Sequence, residues 1–319
     1  MTVHFVLTFN TKCIQARFNN TTCKLDRKAT FMFKNLNAGA IGIHNQSLHE
    51  TILLAQKTGF AGIDFDIRAA AALADAHGIA YVRELFAQHN VLPGQWGLPV
   101  AWNQDRWQED LADLPRLAAL GAALGCHRTA TWCPSWSDSR AYTENIAWHI
   151  ARYRPIAKIL REHDCRLGIE FLGPKSLWVA QPHRFISSLG EMMQLIAGIG
   201  ADNVGLLLDA YHFYTSGDSL DTLDTLTAAD IVVVHINDAL AGIPIEELPD
   251  TNRCLPLETG VIDLPGFMRK LAALHYDGPV TTEPFSQRLN TLAADDPQAA
   301  AQEVSQAMDR LWQASGLSA

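Results

Sequence analysis

The chain has no run of about 18 or more apolar residues, so a membrane-spanning helix is not expected. It has no CxxC pair. Its six cysteines, Cys13, Cys23, Cys126, Cys133, Cys165 and Cys254, form no framework of the kind that staples small secreted domains. Free thiols in a reducing, cytoplasmic setting are the expectation. A surplus of positive charge is also missing: the formal net charge is -9, which argues against nucleic acid as a partner. No glycine-rich phosphate loop stands out, and expectation turns toward an unphosphorylated small molecule.

What is present is an ordinary globular composition, 48% hydrophobic and 18% charged over 319 residues, with length for one large domain or two smaller ones. Residues 1–31 differ from the rest. They carry Lys12, Arg17, Lys24, Arg27 and Lys28 against one acid, Asp26, and lack clear periodicity. Asn10 and Lys12 interrupt the early apolar residues, a poor fit to a secretory signal. We expect a dispensable extension over 1–31, with Met32 as the natural start and one domain over 32–319.

From residue 40 onward, short apolar runs alternate with helix-like segments, the pattern of a parallel sheet with crossover helices. Candidate strands fall at 40–44, 62–66, 91–97, 128–133, 166–171, 204–209, 231–236 and 279–283. Eight strands without a long polar linker predict a closed (β/α)8 TIM barrel. Helix spacing is seen in Ile146, Ile150, Tyr153, Ala157 and Leu160, in Trp107, Leu111, Leu114 and Ala118, and in Ala300, Val304, Ala307 and Leu311. Pro115 and Pro155 are expected to kink or divide their helices.

Four of the strand candidates end on a group that can bind a metal. Glu170 follows Arg166-Leu-Gly-Ile, Asp209 follows Val204-Gly-Leu-Leu-Leu, His235 follows Ile231-Val-Val-Val, and Glu283 follows Pro279-Val-Thr-Thr. In a barrel these ends converge on the face where active sites lie. Buried carboxylates need compensation, and one divalent cation would compensate all three. Oxygen ligands with one imidazole suit Mn²⁺ or Mg²⁺, with Co²⁺ or Zn²⁺ also allowed. Just past two of these ends lie His212, placed to face a ligand beside the metal, and Asp238. Trp102, Trp132, Trp136 and Phe285 near the predicted barrel mouth are candidates to stack on a sugar or cyclitol ring, and Trp178 to close over it.

The segments Glu170-Phe-Leu-Gly173, Asp202-Asn-Val-Gly-Leu-Leu-Leu-Asp-Ala-Tyr-His-Phe213, His235-Ile-Asn-Asp238, Asp250-Thr-Asn-Arg253 and Gly260-Val-Ile-Asp263 resemble the sugar phosphate isomerase/epimerase family, the xylose isomerase-like TIM barrels. The likeness is strong from 166 to 285 and architectural before that. It implies that Glu170, Asp209, His235 and Glu283 bind one divalent metal, Mn²⁺ first, and that Glu170 and Glu283 form the acid/base pair. It also implies that His212 and Arg253 contact substrate oxygens. The family's Pro-Gly-x-Gly turn beside the substrate is one residue longer here, Pro256-Leu-Glu-Thr-Gly260.

The activity implied is isomerisation or epimerisation of a keto-sugar or keto-inositol by proton transfer through an enediolate. A lyase, dehydratase or deglycosylating enzyme on a keto-sugar would use the same parts, because an enediolate can also expel a β-substituent. A non-catalytic sugar-binding barrel would not need two glutamates. A DNA-repair endonuclease of this barrel type would need an Asp-x-His motif where Asp250-Thr-Asn252 stands. Homo-oligomerisation is left open.

Overall fold

The computed structural model describes residues 32–317. Eight parallel strands close into one barrel: β1 (Phe33–Leu36), β2 (Gly62–Phe65), β3 (Leu92–Gly97), β4 (Arg128–Cys133), β5 (Arg166–Phe171), β6 (Val204–Asp209), β7 (Ile231–His235) and β8 (Pro279–Thr281). Each pairs with its neighbours in sequence, and β8 closes onto β1 through Phe33↔Pro279. A second, two-stranded sheet pairs Trp136–Ser137 with His183–Arg184 outside the barrel. Among the described residues, no helix is long and apolar enough to cross a membrane. The expectation for residues 1–31 lies outside the described residues.

β6 and β7 are buried at every position, which is why they read as near-continuous Val, Ile and Leu runs: helices cover one face and the barrel interior the other. The covering helices begin on side-chain caps. Ser47 and Glu50 form a reciprocal capping box before Leu48–Thr58, and Asp296 caps the final helix, Pro297–Ser315. That last helix buries Ala300, Val304, Ala307 and Leu311, the stripe expected from its spacing. Pro115 opens the helix Leu114–Ala123 and so separates it from the single turn Trp107–Asp110, whereas Pro155 lies inside one helix, Tyr142–Arg161.

The first strand departs from the sequence reading. Residues 40–44 are no strand: Gly39–Ile41 form a 3-10 turn, and Gly42 ends it at φ 84°, backbone that favours glycine. The strand is Phe33–Leu36, disguised by two polar residues whose donor groups find partners inside the fold. Lys34 donates to Ser305 Oγ (3.1 Å) and pairs with Asp309, while Asn35 donates to Thr281 Oγ1 (3.0 Å) across the β1–β8 seam. Residues displaced from the strand reading form a loop over the barrel mouth.

Candidate active site

Strand register sets the height of the donor groups. Asp209 pairs directly with His235 across β6 and β7, and Glu170 with Trp132 across β5 and β4, so these side chains share one end of the barrel. Glu283 lies two residues beyond β8. A cavity of about 570 Å³ opens at this end, and Glu170, His235, Glu283 and Trp132 stand in its wall with Asn37, His44 and Asp64.

Ligand atoms of Glu170, Asp209 and His212 lie within 4.8 Å of one another, a possible three-residue metal site. His235 stands beside it: Nδ1 is 3.7 Å from Glu170 Oε1 and 3.2 Å from Glu283 Oε2. Neither ring nitrogen of His235 makes an aligned hydrogen bond, and buried Glu170 Oε1 has no hydrogen-bond partner. Unsatisfied donors and acceptors of this kind are costly, and a divalent cation among them would satisfy them. The donor set fits such an ion.

Neighbouring groups hold the donors rigidly. Arg253 Nη1 donates to Asp209 Oδ2 (2.8 Å), and the Tyr211 amide donates to Asp209 Oδ1 (2.7 Å). Asn37 Nδ2 donates to Glu283 Oε1 (2.8 Å), and the Glu283 amide to Asn237 Oδ1 (2.9 Å). The Gly173 amide donates to His212 Nδ1 (3.2 Å) across a contact that needs glycine, since a Cβ there would sit 2.1 Å from the His212 carbonyl oxygen.

The resulting field divides the carboxyls. Burial and the nearby Asp209 charge push Glu170 well above the usual carboxylate range. Burial, the largest influence on each, opposes ionisation of Asp209 and Glu283 as well, but Arg253, His212, His235 and the Tyr211 amide together outweigh it at Asp209, and His235 with Arg253 does so at Glu283, so both are lowered. Burial alone would depress His235, yet Glu283, Glu170 and Asp209 together raise it to about 10. His212, facing the Arg253 guanidinium at 3.1 Å, is lowered to about 4 by burial and that charge.

The remaining sequence candidates fall into different surroundings. Arg253 is buried; it donates to Asp209, the Asp250 carbonyl and Asp250 Oδ1 (3.1 Å), stands 3.1 Å from His212 Nε2, and packs over Tyr211 and Phe285. Asp238 is buried and accepts from the amides of Ala239, Thr259, Gly260 and Ile262. That arrangement ties the 256–260 turn to Asp238, and no residue of the turn lines the cavity. Trp102 is only 3% exposed and faces a second, neighbouring pocket, whereas Trp132, 43% exposed, is shared by both. Trp136 lines only the second pocket, and Phe285 and Trp178 line neither.

A family match described as Xylose isomerase-like TIM barrel spans residues 52–311. The chain belongs to that family. Among its relatives is an inosose isomerase of Bacillus velezensis, 23% identical over 276 residues, which cover 84% of this chain and 94% of that one. A solved xylose isomerase domain protein of Alicyclobacillus acidocaldarius superposes with a TM-score of 0.79 at 28% identity, over 89% of this chain and 99% of that one. The IOLI protein, solved with a bound zinc atom, superposes at 0.70 with 19% identity, over 89% and 98%.

Two groups in this xylose isomerase-like barrel escaped the sequence reading. Asp64 faces the cavity from β2, where Gln95 Nε2 (2.8 Å) and Asn35 Nδ2 donate to it, and burial raises it to about 7. Its signal was an acid at the inward position of a candidate strand, Gly62-Ile-Asp-Phe65. The loop from Asn37 to Leu48 was the other, hidden by reading 40–44 as a strand.

Proposed function

We propose that this enzyme is a divalent-metal-dependent isomerase or epimerase that moves a proton on a keto-sugar or keto-inositol. The observation that carries the proposal is the convergence of Glu170 and Glu283 on His235, at the wall of a sugar-sized cavity and beside Asp209 and His212. The name of the inosose isomerase relative supports the cyclitol end of that substrate range. In this reading Glu170, Asp209, His235 and Glu283 hold the ion, and His212 contacts a substrate oxygen beside it. Mn²⁺ suits this oxygen-rich set, and Zn²⁺ is also accommodated.

When bound, the cation supplies positive charge beside the substrate carbonyl and hydroxyl oxygens, where negative charge develops as the α-proton leaves. Glu283 is suited to remove that proton. It is ionised, and Asn37 fixes Oε1 while Oε2 faces the site. Glu170, whose Oε1 lies 3.7 Å from His235 Nδ1 at the same site, is suited to return a proton. Delivery to the adjacent carbon isomerises, and delivery to the opposite face of the same carbon epimerises. Arg253 positions Asp209 through its 2.8 Å hydrogen bond.

The deciding experiment is solvent exchange. The chelator-treated protein, resupplied with Mn²⁺, Mg²⁺, Co²⁺ or Zn²⁺, is incubated in D2O with ketoses, inososes and 3-keto-glycosides. Deuterium entering the α-carbon with product mass otherwise unchanged is expected. Loss of water or of a substituent would show a lyase instead, and exchange that survives complete metal removal would contradict the mechanism. Four cysteines that are buried and free, Cys126, Cys133, Cys165 and Cys254, support a cytoplasmic setting for this activity.

A further inference from the structure

Beside the metal cavity, at the ends of β4 and β5, lies a second pocket of about 360 Å³. Its walls are four indoles, Trp102, Trp132, Trp136 and Trp148. Trp102 is the hub: its ring stands edge-on to Trp132 (5.8 Å, 69°) and to Trp148 (6.0 Å, 72°), and its Nε1 donates to Thr131 Oγ1 (2.8 Å). Trp148 is held between guanidinium groups, Arg140 at 4.1 Å and Arg152 at 3.5 Å from the ring centre. Trp136 is carried on the short sheet outside the barrel, paired with Arg184. Asp138 stands exposed at the rim.

Two polar side chains in this aromatic wall are each 1% exposed and incompletely satisfied. His149 Nδ1 lies 2.8 Å from the Asn145 carbonyl oxygen. A carbonyl can only accept, so Nδ1 carries the proton and Nε2, which has no partner, is an acceptor. Burial lowers this imidazole to about 4, so it stays neutral near pH 7. Asn145 Oδ1 accepts from Arg140 Nε (2.9 Å), which leaves Nδ2 as a donor without a partner. One acceptor and one donor, a helical turn apart on Tyr142–Arg161, complement the hydroxyls of a ring, each of which donates and accepts. Indole faces around them suit the C–H face of a sugar or a phenolic ring.

We propose that this pocket is a second ring subsite, which binds a hydroxylated ring attached to the reacting keto-sugar, so that the natural substrate is a two-ring glycoside. Trp132 is the reason to join the two sites: it is the wall they share, and it is the exposed indole of the four. The identity of the first ring rests on the function proposed above. The second ring rests on the pocket alone.

Binding of unreactive probes tests this without turnover. Methyl β-D-glucoside, phenyl β-D-glucoside and cellobiose are titrated against the full chain by calorimetry and tryptophan fluorescence, with Mn²⁺ and after chelation. The two-ring probes are expected to bind about tenfold more tightly than the one-ring probe. His149→Phe, which keeps a ring and removes the acceptor, and Trp136→Ala, at the outer wall, should each abolish that advantage and leave methyl glucoside affinity unchanged. Equal affinities, failure of the two-ring probes to bind, or an advantage that survives both substitutions would overturn the proposal. So would free phenol or glucose binding with the same sensitivity to both substitutions while methyl glucoside stays bound, because the pocket would then serve a separate ligand. Absence of deuterium exchange would defeat the isomerase reading and leave this binding result standing.

Discussion

Replacing Arg253 by Met keeps the aliphatic stem and strands a charge. In the native structure Arg253 makes hydrogen bonds to Asp209 and to both the carboxylate and carbonyl of Asp250, and Asp209 is fully buried. Removing one partner of a buried pair costs about 3–5 kcal/mol, which for a domain of this size lowers Tm by on the order of 10 °C. Thermal and urea unfolding of the chelator-treated protein across a pH series measures it. The pH dependence carries a distinct sign. In the wild type, burial opposes ionisation of Asp209 but Arg253, with His212, His235 and the Tyr211 amide, outweighs it, so the lowered carboxyl contributes stability above an unfolded pKa of about 3.9. That contribution is lost as pH falls through the folded value. In R253M burial acts with less opposition, the folded pKa rises, and the folded chain holds its proton more tightly than the unfolded one. Stability of the variant then falls as pH rises from about 4 through the raised folded pKa, so its deficit widens toward neutral pH. Adding Asp209→Asn removes the stranded charge while keeping an acceptor for the Tyr211 amide, and should recover at least about 1 kcal/mol of the loss. A deficit below about 1 kcal/mol, or a double variant less stable than R253M, would refute this account of Arg253.

Glu283→Gln is expected to abolish solvent exchange at the α-carbon while leaving the circular dichroism spectrum near that of the wild type; near-normal turnover would remove Glu283 from proton transfer. Metal binding at neutral pH should release at least one proton per ion, because His235 is protonated up to about pH 10 without metal and must lose that proton to coordinate. Calorimetry in buffers of different ionisation enthalpy counts the protons, and a count of zero would show that His235 is no ligand. Asp64→Asn should flatten the pH dependence of stability between about 4 and 7. The wild-type carboxyl, raised to about 7, favours the folded state most in acid and loses that advantage as pH rises through this window. Parallel stability curves for wild type and variant would count against it.

The donor residues were legible because the chemistry of a parallel barrel is written linearly: β6 and β7 are apolar throughout and stop on a carboxylate and an imidazole. β1 was illegible for the converse reason. Lys34 and Asn35 look like loop residues until Ser305, Asp309 and Thr281, distant in sequence, supply their partners. The helix Tyr142–Arg161 shows a subtler failure. Its apolar stripe placed Ile146 and Ile150 inward, but they are only half-buried, and the fully buried positions of that turn are Asn145 and His149. Periodicity ranks residues by apolarity, so it gives no weight to a polar pair facing a pocket. The tryptophans were noticed as candidates to stack on a ring, yet nothing in their spacing shows that Trp102 and Trp136 face a different pocket from Glu170.

The way Asp238 holds its loop bears on how such a barrel accommodates a changed turn. The carboxylate grips backbone amides at 239, 259, 260 and 262, groups that every residue except proline supplies. Side chains in the intervening turn can therefore be exchanged, and one residue gained, while the segment remains moored to the same strand end. Such a segment behaves as an interchangeable cassette, and transplanting it between barrels with an aspartate at this position should leave the fold and the proton-transfer chemistry intact and, since no residue of the turn stands on the cavity wall, substrate preference nearly unchanged.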